Sequence, residues 1–99
     1  MVNVETEAVL DANVTVFNQS SITHDVHIGE HSFLSVGVSM GGGVDIGART
    51  FVGVNATIVN DITIGCDSIV CGGTFLTKAI SDRTCVIGNP FREIDRVYL

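Results

Sequence analysis

Every sixth residue from Val4 to Leu76 is apolar: Val4, Leu10, Val16, Ile22, Ile28, Leu34, Met40, Ile46, Val52, Ile58, Ile64, Val70 and Leu76. All thirteen positions carry an aliphatic side chain or Met, in a chain that is 45% apolar overall. Chance gives such a run on the order of 10⁻⁴ once six reading frames are allowed for, so the period belongs to the fold. The place after the aliphatic is glycine five times, at Gly29, Gly41, Gly47, Gly53 and Gly65. The place four after it is always small or β-branched, from Ala8 and Val14 to Thr74 and Ile80.

A period of six fits neither the 3.6-residue turn of an α-helix nor the two-residue alternation of a meander. It predicts an all-β parallel β-helix of hexapeptide repeats. Each unit makes one short strand and one corner, and three units close a triangular coil. The aliphatic points to the axis, and the glycine relaxes the corner, where a positive φ costs it little. The repeats from Val4 to Leu76 make a little over four coils, with no loop extruded. Residues 1–80 read as the β-helix and 81–99 as a last strand and cap. The cap is expected to hold a strand at 84–87, a turn at 88–90 and a short helix with Pro90 in its first position. Phe91, Ile94, Val97 and Leu99 would then cover the open end of the stack.

Composition narrows the function. A charged content of only 16% is dry for a soluble monomer of 99 residues and points to self-association. No stretch is long and apolar enough to span a membrane, and the acidic start "MVNVETEAVL" does not read as a signal peptide. Cys66, Cys71 and Cys85 form no CxxC pair, as expected of reduced thiols in a cytoplasmic protein. The net charge of −6 lies entirely in residues 1–48, which hold six acids and no Lys or Arg. That footprint argues against a nucleic-acid partner. Lys78, Arg83 and Arg92 lie in the neutral second half, where an anionic cofactor finds its cations.

The chain's three histidines, His24, His27 and His31, fall at the third, sixth and fourth places of two successive units. They diverge, so no shared metal site is expected, since zinc needs donors converging to about 2 Å. His24 precedes Asp25 and is the candidate general base: imidazole titrates near neutrality, and a carboxylate on one ring nitrogen fixes the tautomer. Neighbouring strand residues point opposite ways, so this pairing requires a corner or a subunit boundary. Gly42, in the triple glycine 41–43, stands eighteen residues after His24 and should lie over it. A glycine there admits a thioester and offers a backbone N–H to a carbonyl oxygen turning anionic.

The repeats, "VGVNATIV", "CGGTFLTK" and the ending "VIGNPFRE" resemble the bacterial hexapeptide-repeat acyltransferases. "HDVHIG", His24 to Gly29, is most like the branch of sialic acid O-acetyltransferases and UDP-amino-sugar N-acetyltransferases. The resemblance implies a left-handed coil, a homotrimer with each active site between adjacent prisms, and acetyl-CoA as co-substrate. It assigns His24 as base, Asp25 as its orienter and Gly42 as oxyanion donor. Gly42, Gly43, Val54 and Gly72 would bind the cofactor through their backbones, and Lys78 and Arg92 would meet its phosphates. The γ-class carbonic anhydrases of this fold draw zinc ligands from well-separated coils and adjacent subunits, a layout HxxHxxxH does not copy.

Two departures stand out. The branch often has a second histidine nine residues after the first and an asparagine seven before it; here those places hold Phe33 and Phe17. Its members also usually carry an amino-terminal nucleotide-sugar domain, for which 99 residues leave no room. The expected function is acetyl transfer from acetyl-CoA to an amine or hydroxyl of a sugar or nucleotide sugar. The alternatives are a xenobiotic acceptor and a non-catalytic β-helix trimer serving as scaffold or binding module.

Overall fold

The computed structural model describes residues 2–4 and 7–95. These form a three-sided, left-handed parallel solenoid of about four turns. Face A carries β1 (Asn3–Val4), β4 (Ser21–Ile22), β7 (Ser39–Met40), β10 (Thr57–Ile58) and β13 (Phe75–Leu76). Face B carries β2 (Val9–Leu10), β5 (His27–Ile28), β8 (Asp45–Ile46) and β11 (Thr63–Ile64). Face C carries β3 (Thr15–Val16), β6 (Phe33–Leu34), β9 (Phe51–Val52), β12 (Ile69–Val70), β14 (Cys85–Gly88) and β15 (Phe91–Ile94). Coils align with an eighteen-residue offset, as in Val4 on Ile22 and Leu34 on Val52.

Each two-residue strand sends its second side chain to the axis. Ile22, Ile28, Leu34, Ile46, Val52 and Val70 are fully buried there. The place four after the aliphatic also turns inward, which explains its small or branched residues: Val26, Ser32, Val38, Thr50 and Ser68 are all buried. Along the B–C edge the inward hydroxyls bond the next coil. Ser32 Oγ donates to the Gly47 carbonyl at 2.9 Å, and Thr50 Oγ1 donates to the Gly65 carbonyl at 2.9 Å. Among the described residues no buried side-chain polar atom lacks a partner.

The corners differ from the expectation in one respect. Positive φ falls three places after the aliphatic, at Asn13, Asp25, His31, Arg49, Asn55, Asp61 and Asp67, and not at the repeat glycines. The residue in this left-handed turn donates its N–H down to the previous coil, as Arg49 does to the Glu30 carbonyl at 2.8 Å. Asn and Asp tolerate that conformation best among residues with a side chain. The repeat glycines answer a different need. A Cβ on Gly47 would stand 2.6 Å from the Cys66 nitrogen and 2.7 Å from the Gly65 carbonyl carbon, inside the backbone of the coil above.

After Leu76 the eighteen-residue offset shortens. Ile80, not residue 82, pairs with Ile64, and Cys85–Val86 pair with Ile69–Val70, so the final coil is sixteen residues long. The predicted last strand is β14, one residue further along at each end. The predicted helix does not form. A cis Asn89–Pro90 bond turns the chain back, and β15 runs antiparallel to β14. Phe91 packs against the core from this hairpin, as a cap should. Val97 and Leu99 lie outside the described residues.

Candidate active site

The eighteen-residue offset turns sequence spacing into columns. His24, Gly42, Asn60 and Lys78 stack along the A–B edge. Asp25 takes the left-handed corner conformation at φ 59°, and this brings its carboxylate beside the ring of the preceding residue. His24 Nδ1 and Asp25 Oδ2 are 3.2 Å apart, and both side chains are about two-thirds exposed, at 66% and 64%. The corner thus supplies the geometry that two neighbouring strand residues could not.

Gly42 sits directly against that ring. A Cβ on Gly42 would lie 2.5 Å from His24 Nε2 and 2.9 Å from Nδ1. Only glycine lets the imidazole come this close to the next coil. The Gly43 N–H donates to the His24 carbonyl at 3.0 Å, and the Asp61 N–H donates to the Gly42 carbonyl at 2.9 Å. Among the described residues the Gly42 N–H itself donates to no acceptor. With Nδ1 carrying the proton toward Asp25, Nε2 keeps a lone pair beside an unused backbone donor. That pair of groups suits proton removal from a nucleophile attacking a carbonyl.

Not every predicted residue joins them. Val54 and Gly72 share the hexad phase of His24 but stand on the C–A edge, stacked with Asn18 and Val36. Val54 and Gly72 are adjacent, since a Cβ on Gly72 would reach Val54 Cγ1 at 3.1 Å. Both are exposed, and neither donates its N–H among the described residues. Gly43 stands in the Asp25 column at φ 73°, with the Asp61 side chain over it. Lys78 lies in the shortened corner above Asn60, and Arg92 is exposed on β15.

His27 is more engaged than its place in the sequence suggested. On face B its Nε2 meets Asp11 Oδ2 at 2.9 Å and its Nδ1 meets Asp45 Oδ1 at 2.9 Å. Hydrogen bonds to Asp11 and Asp45 raise its pKa above the ordinary 6.5. The eighteen-residue offset from His27 to Asp45 was the signal for this ladder. His31 is looser, with Nε2 3.8 Å from Glu30 Oε2. Among the described residues no three His, Cys, Asp or Glu side chains are placed to hold a metal. Burial raises the Cys71 thiol pKa, which disfavours the thiolate.

Face C carries an outward apolar row that the hexad count did not reveal. The Phe17 and Phe33 rings meet edge to face with centroids 5.0 Å apart, and Phe33 stacks on Phe51 at 5.3 Å. Beside them Val16, Phe17, Asn18 and Val36 line a cavity of about 290 Å³.

No protein-family model matches the chain. Solved structures do. The acetyltransferase domain of PglB from Neisseria gonorrhoeae FA1090 superposes over 94% of this chain with a TM-score of 0.92 and 25% identity. The fold is that of the hexapeptide-repeat acetyltransferases. The same domain has been solved in complex with acetyl coenzyme A. PerB from Caulobacter crescentus, solved with CoA and GDP-perosamine, matches over 95% of this chain with a TM-score of 0.76 and 25% identity. A Staphylococcus aureus (strain MRSA252) protein, provisionally assigned as an acetyltransferase, is 28% identical over 61 residues, 62% of this chain. The hexapeptide-repeat fold here spans less than its relatives do: 45% of the PglB domain, 51% of PerB and 31% of the S. aureus protein. Among the described residues no helix is long and apolar enough to cross a membrane.

Proposed function

We propose that the protein transfers an acetyl group from acetyl-CoA to an amine or hydroxyl of a sugar or nucleotide sugar, and that it does so as a homotrimer. The observation that carries this reading is the His24 ring lying against Gly42, whose N–H is unused. Neighbours solved with acetyl-CoA, CoA and GDP-perosamine support the substrate classes. Acetyl-CoA as donor also favours a cytoplasmic setting.

In the reaction the acceptor nitrogen or oxygen attacks the thioester carbonyl while His24 Nε2 takes its proton. Asp25 steadies the imidazolium. The tetrahedral oxyanion accepts a hydrogen bond from the Gly42 N–H. Collapse breaks the carbon–sulfur bond, and the departing CoA thiolate recovers the proton from His24. The pantetheine arm carries amides, for which the free N–H groups of Val54 and Gly72 are suitable donors.

Those two donors stand on a different edge from His24, so one chain cannot line a common groove. A threefold axis beside the B–C edge solves this. It buries face C against face B of the next copy and brings the C–A edge of one chain opposite the A–B edge of its neighbour. The side chains support this choice of faces. In three successive coils face C presents Phe33, Phe51 and Ile69 outward, whereas face A presents Ser21, Ser39 and Thr57 there and a phenyl only above them, at Phe75. Lys78 and Arg92 stand toward the upper end of the stack and would take the cofactor phosphates.

The test is free-thiol release from acetyl-CoA with a panel of amino sugars. His24→Ala should lower the rate by about 10²–10⁴ while light scattering still reports three chains. Equal rates for wild type and His24→Ala with every acceptor would remove the enzyme reading and leave the scaffold.

A further inference from the structure

We propose that the Asp11–His27–Asp45 ladder on face B is a proton-dependent latch between subunits: it closes on the phenylalanine row of the next copy's face C while His27 holds a proton on each ring nitrogen, and it opens as the pH rises. This rests on the trimer of the acetyl-transfer reading.

The geometry calls for the imidazolium. His27 Nε2 stands 2.9 Å from Asp11 Oδ2, and Nδ1 stands 2.9 Å from Asp45 Oδ1. An ionised carboxylate only accepts, and a neutral imidazole has a single N–H, so it serves one of these contacts. At the other, a lone pair would face a carboxylate oxygen. The same hydrogen bonds already favour the proton in the single chain. Among the described residues no other cation is placed to take its part. From the strands on either side, the facing groups are Asp11, just past β2, and Asp45 on β8. The corners beside face B add Glu7, Asp25 and Glu30, all acids. Arg49 is held by Asp67 through hydrogen bonds of 2.8 and 3.1 Å, His24 stands with Asp25, and His31 leans on Glu30.

The row on face C covers the same levels. A threefold rotation about an axis parallel to the stack moves nothing along that axis. Phe17, Phe33 and Phe51 fall six residues after Asp11, His27 and Asp45 respectively. Six residues are a third of a coil, so each phenyl stands about 1.6 Å above its counterpart. Ladder and row thus occupy one stretch of the contact. The outward residues of face C there, Thr15, Phe17, Phe33, Ser35 and Phe51, carry no charge. Phenyl rings exclude water, and a carboxylate covered by them without a donor loses its hydration for nothing. The imidazolium gives each carboxylate an N–H, and its charge is attracted to aromatic ring faces. Once the proton leaves, separating the chains rehydrates the stranded carboxylate. Assembly therefore raises the His27 pKa further. The latch's contribution is complete below the single-chain value and is lost as the pH climbs through the trimer's higher one. The groove that two chains line would open with it.

The experiment is sedimentation velocity on a dilution series between about pH 6 and about pH 9 at constant ionic strength. The concentration at which half the chains are trimeric should rise at least about tenfold over that range; one full proton per subunit gives about 30-fold per pH unit. His27→Gln, which offers one amide to two carboxylates, should assemble weakly at every pH. Asp45→Asn leaves one carboxylate, which a neutral imidazole can serve. It should keep the trimer tight at the alkaline end, and it carries the test if the Gln variant does not fold. A wild-type midpoint that ignores pH, or a slope that persists in His27→Gln, overturns the latch and leaves the trimer standing. Chains that stay monomeric at every pH and concentration overturn both, while thiol release reads the acetyl transfer separately.

Discussion

Replacing Gly42 by alanine separates the position of the base from every other contribution to the reaction. The substitution keeps the backbone N–H, so the oxyanion donor survives. Gly42 is not in the left-handed region, so a Cβ meets no backbone strain of its own. What it meets is the His24 ring, 2.5 Å from Nε2. Ordinary carbon–nitrogen contact is about 3.5 Å, so the ring must retreat by roughly 1 Å. The side chain is 66% exposed and has room to swing outward, at the expense of its 3.2 Å contact with Asp25. An off-rotamer ring costs about 0.5–1.5 kcal/mol. The smaller entropy of an unfolded chain with Ala in place of Gly returns about 0.4–1 kcal/mol. The melting temperature should therefore move by only a few degrees, at about 4–8 °C per kcal/mol for a domain of this size. Catalysis should suffer far more, because a misplacement of about 1 Å costs on the order of 100-fold. Thiol release under saturating acetyl-CoA, measured beside a thermal melt, gives both numbers. Wild-type kcat in the alanine variant would refute the placement of the base, and gross unfolding would refute the account of the corner.

Two further outcomes test the fold around the site. His27 is raised in pKa by its hydrogen bonds to Asp11 and Asp45, so its contribution to stability is complete below pH 6.5 and is lost as the pH climbs through the raised value. In the single chain its side chain is 43% exposed, which there limits the effect to under about 1 kcal/mol, and a trimer that covers face B would enlarge it; urea midpoints should fall from pH 6 to 8 in wild type and stay flat in His27→Gln. Gly47→Ala forces a Cβ against the Cys66 and Gly65 backbone, which cannot step aside as a side chain can. It should cost about 1–3 kcal/mol, and an unchanged urea midpoint would show that the coils are not packed as tightly as described.

The architecture was legible because one periodicity fixed both the strands and their inward residues, from Val4 to Leu76. The His24–Gly42 contact was legible for the same reason, since eighteen residues is one full coil. The end of the stack was less so. Ile80 satisfies the small-or-branched place of one unit and the axial place of a shortened one equally well, so composition could not choose between them. Pro90 likewise suits the first turn of a helix and a reverse turn, and the open strand edge of β14 decided for the turn. The glycines misled in a subtler way: a repeat position reserved for Gly signals either a special φ or a close neighbour, and only the neighbouring coil distinguishes them. Phe33 and Phe51 share one outward hexad place a full coil apart, but Phe17 lies sixteen residues before Phe33, at the corner, and the cavity beside it depends on side-chain shape that no spacing encodes.

The left-handed corners carry a consequence for how such a chain drifts over time. Each corner spends its fourth-place N–H on the coil beneath, and at Gly42, Val54 and Gly72 this leaves the third-place N–H facing outward. On the A–B and C–A edges these main-chain donors stand at a fixed rise, whereas on the B–C edge the Cys66 N–H is taken by Asp82 Oδ1 at 2.8 Å. Under the proposed function, grip on the cofactor's amides would belong to the winding itself, so edge side chains could be exchanged while these main-chain donors persist.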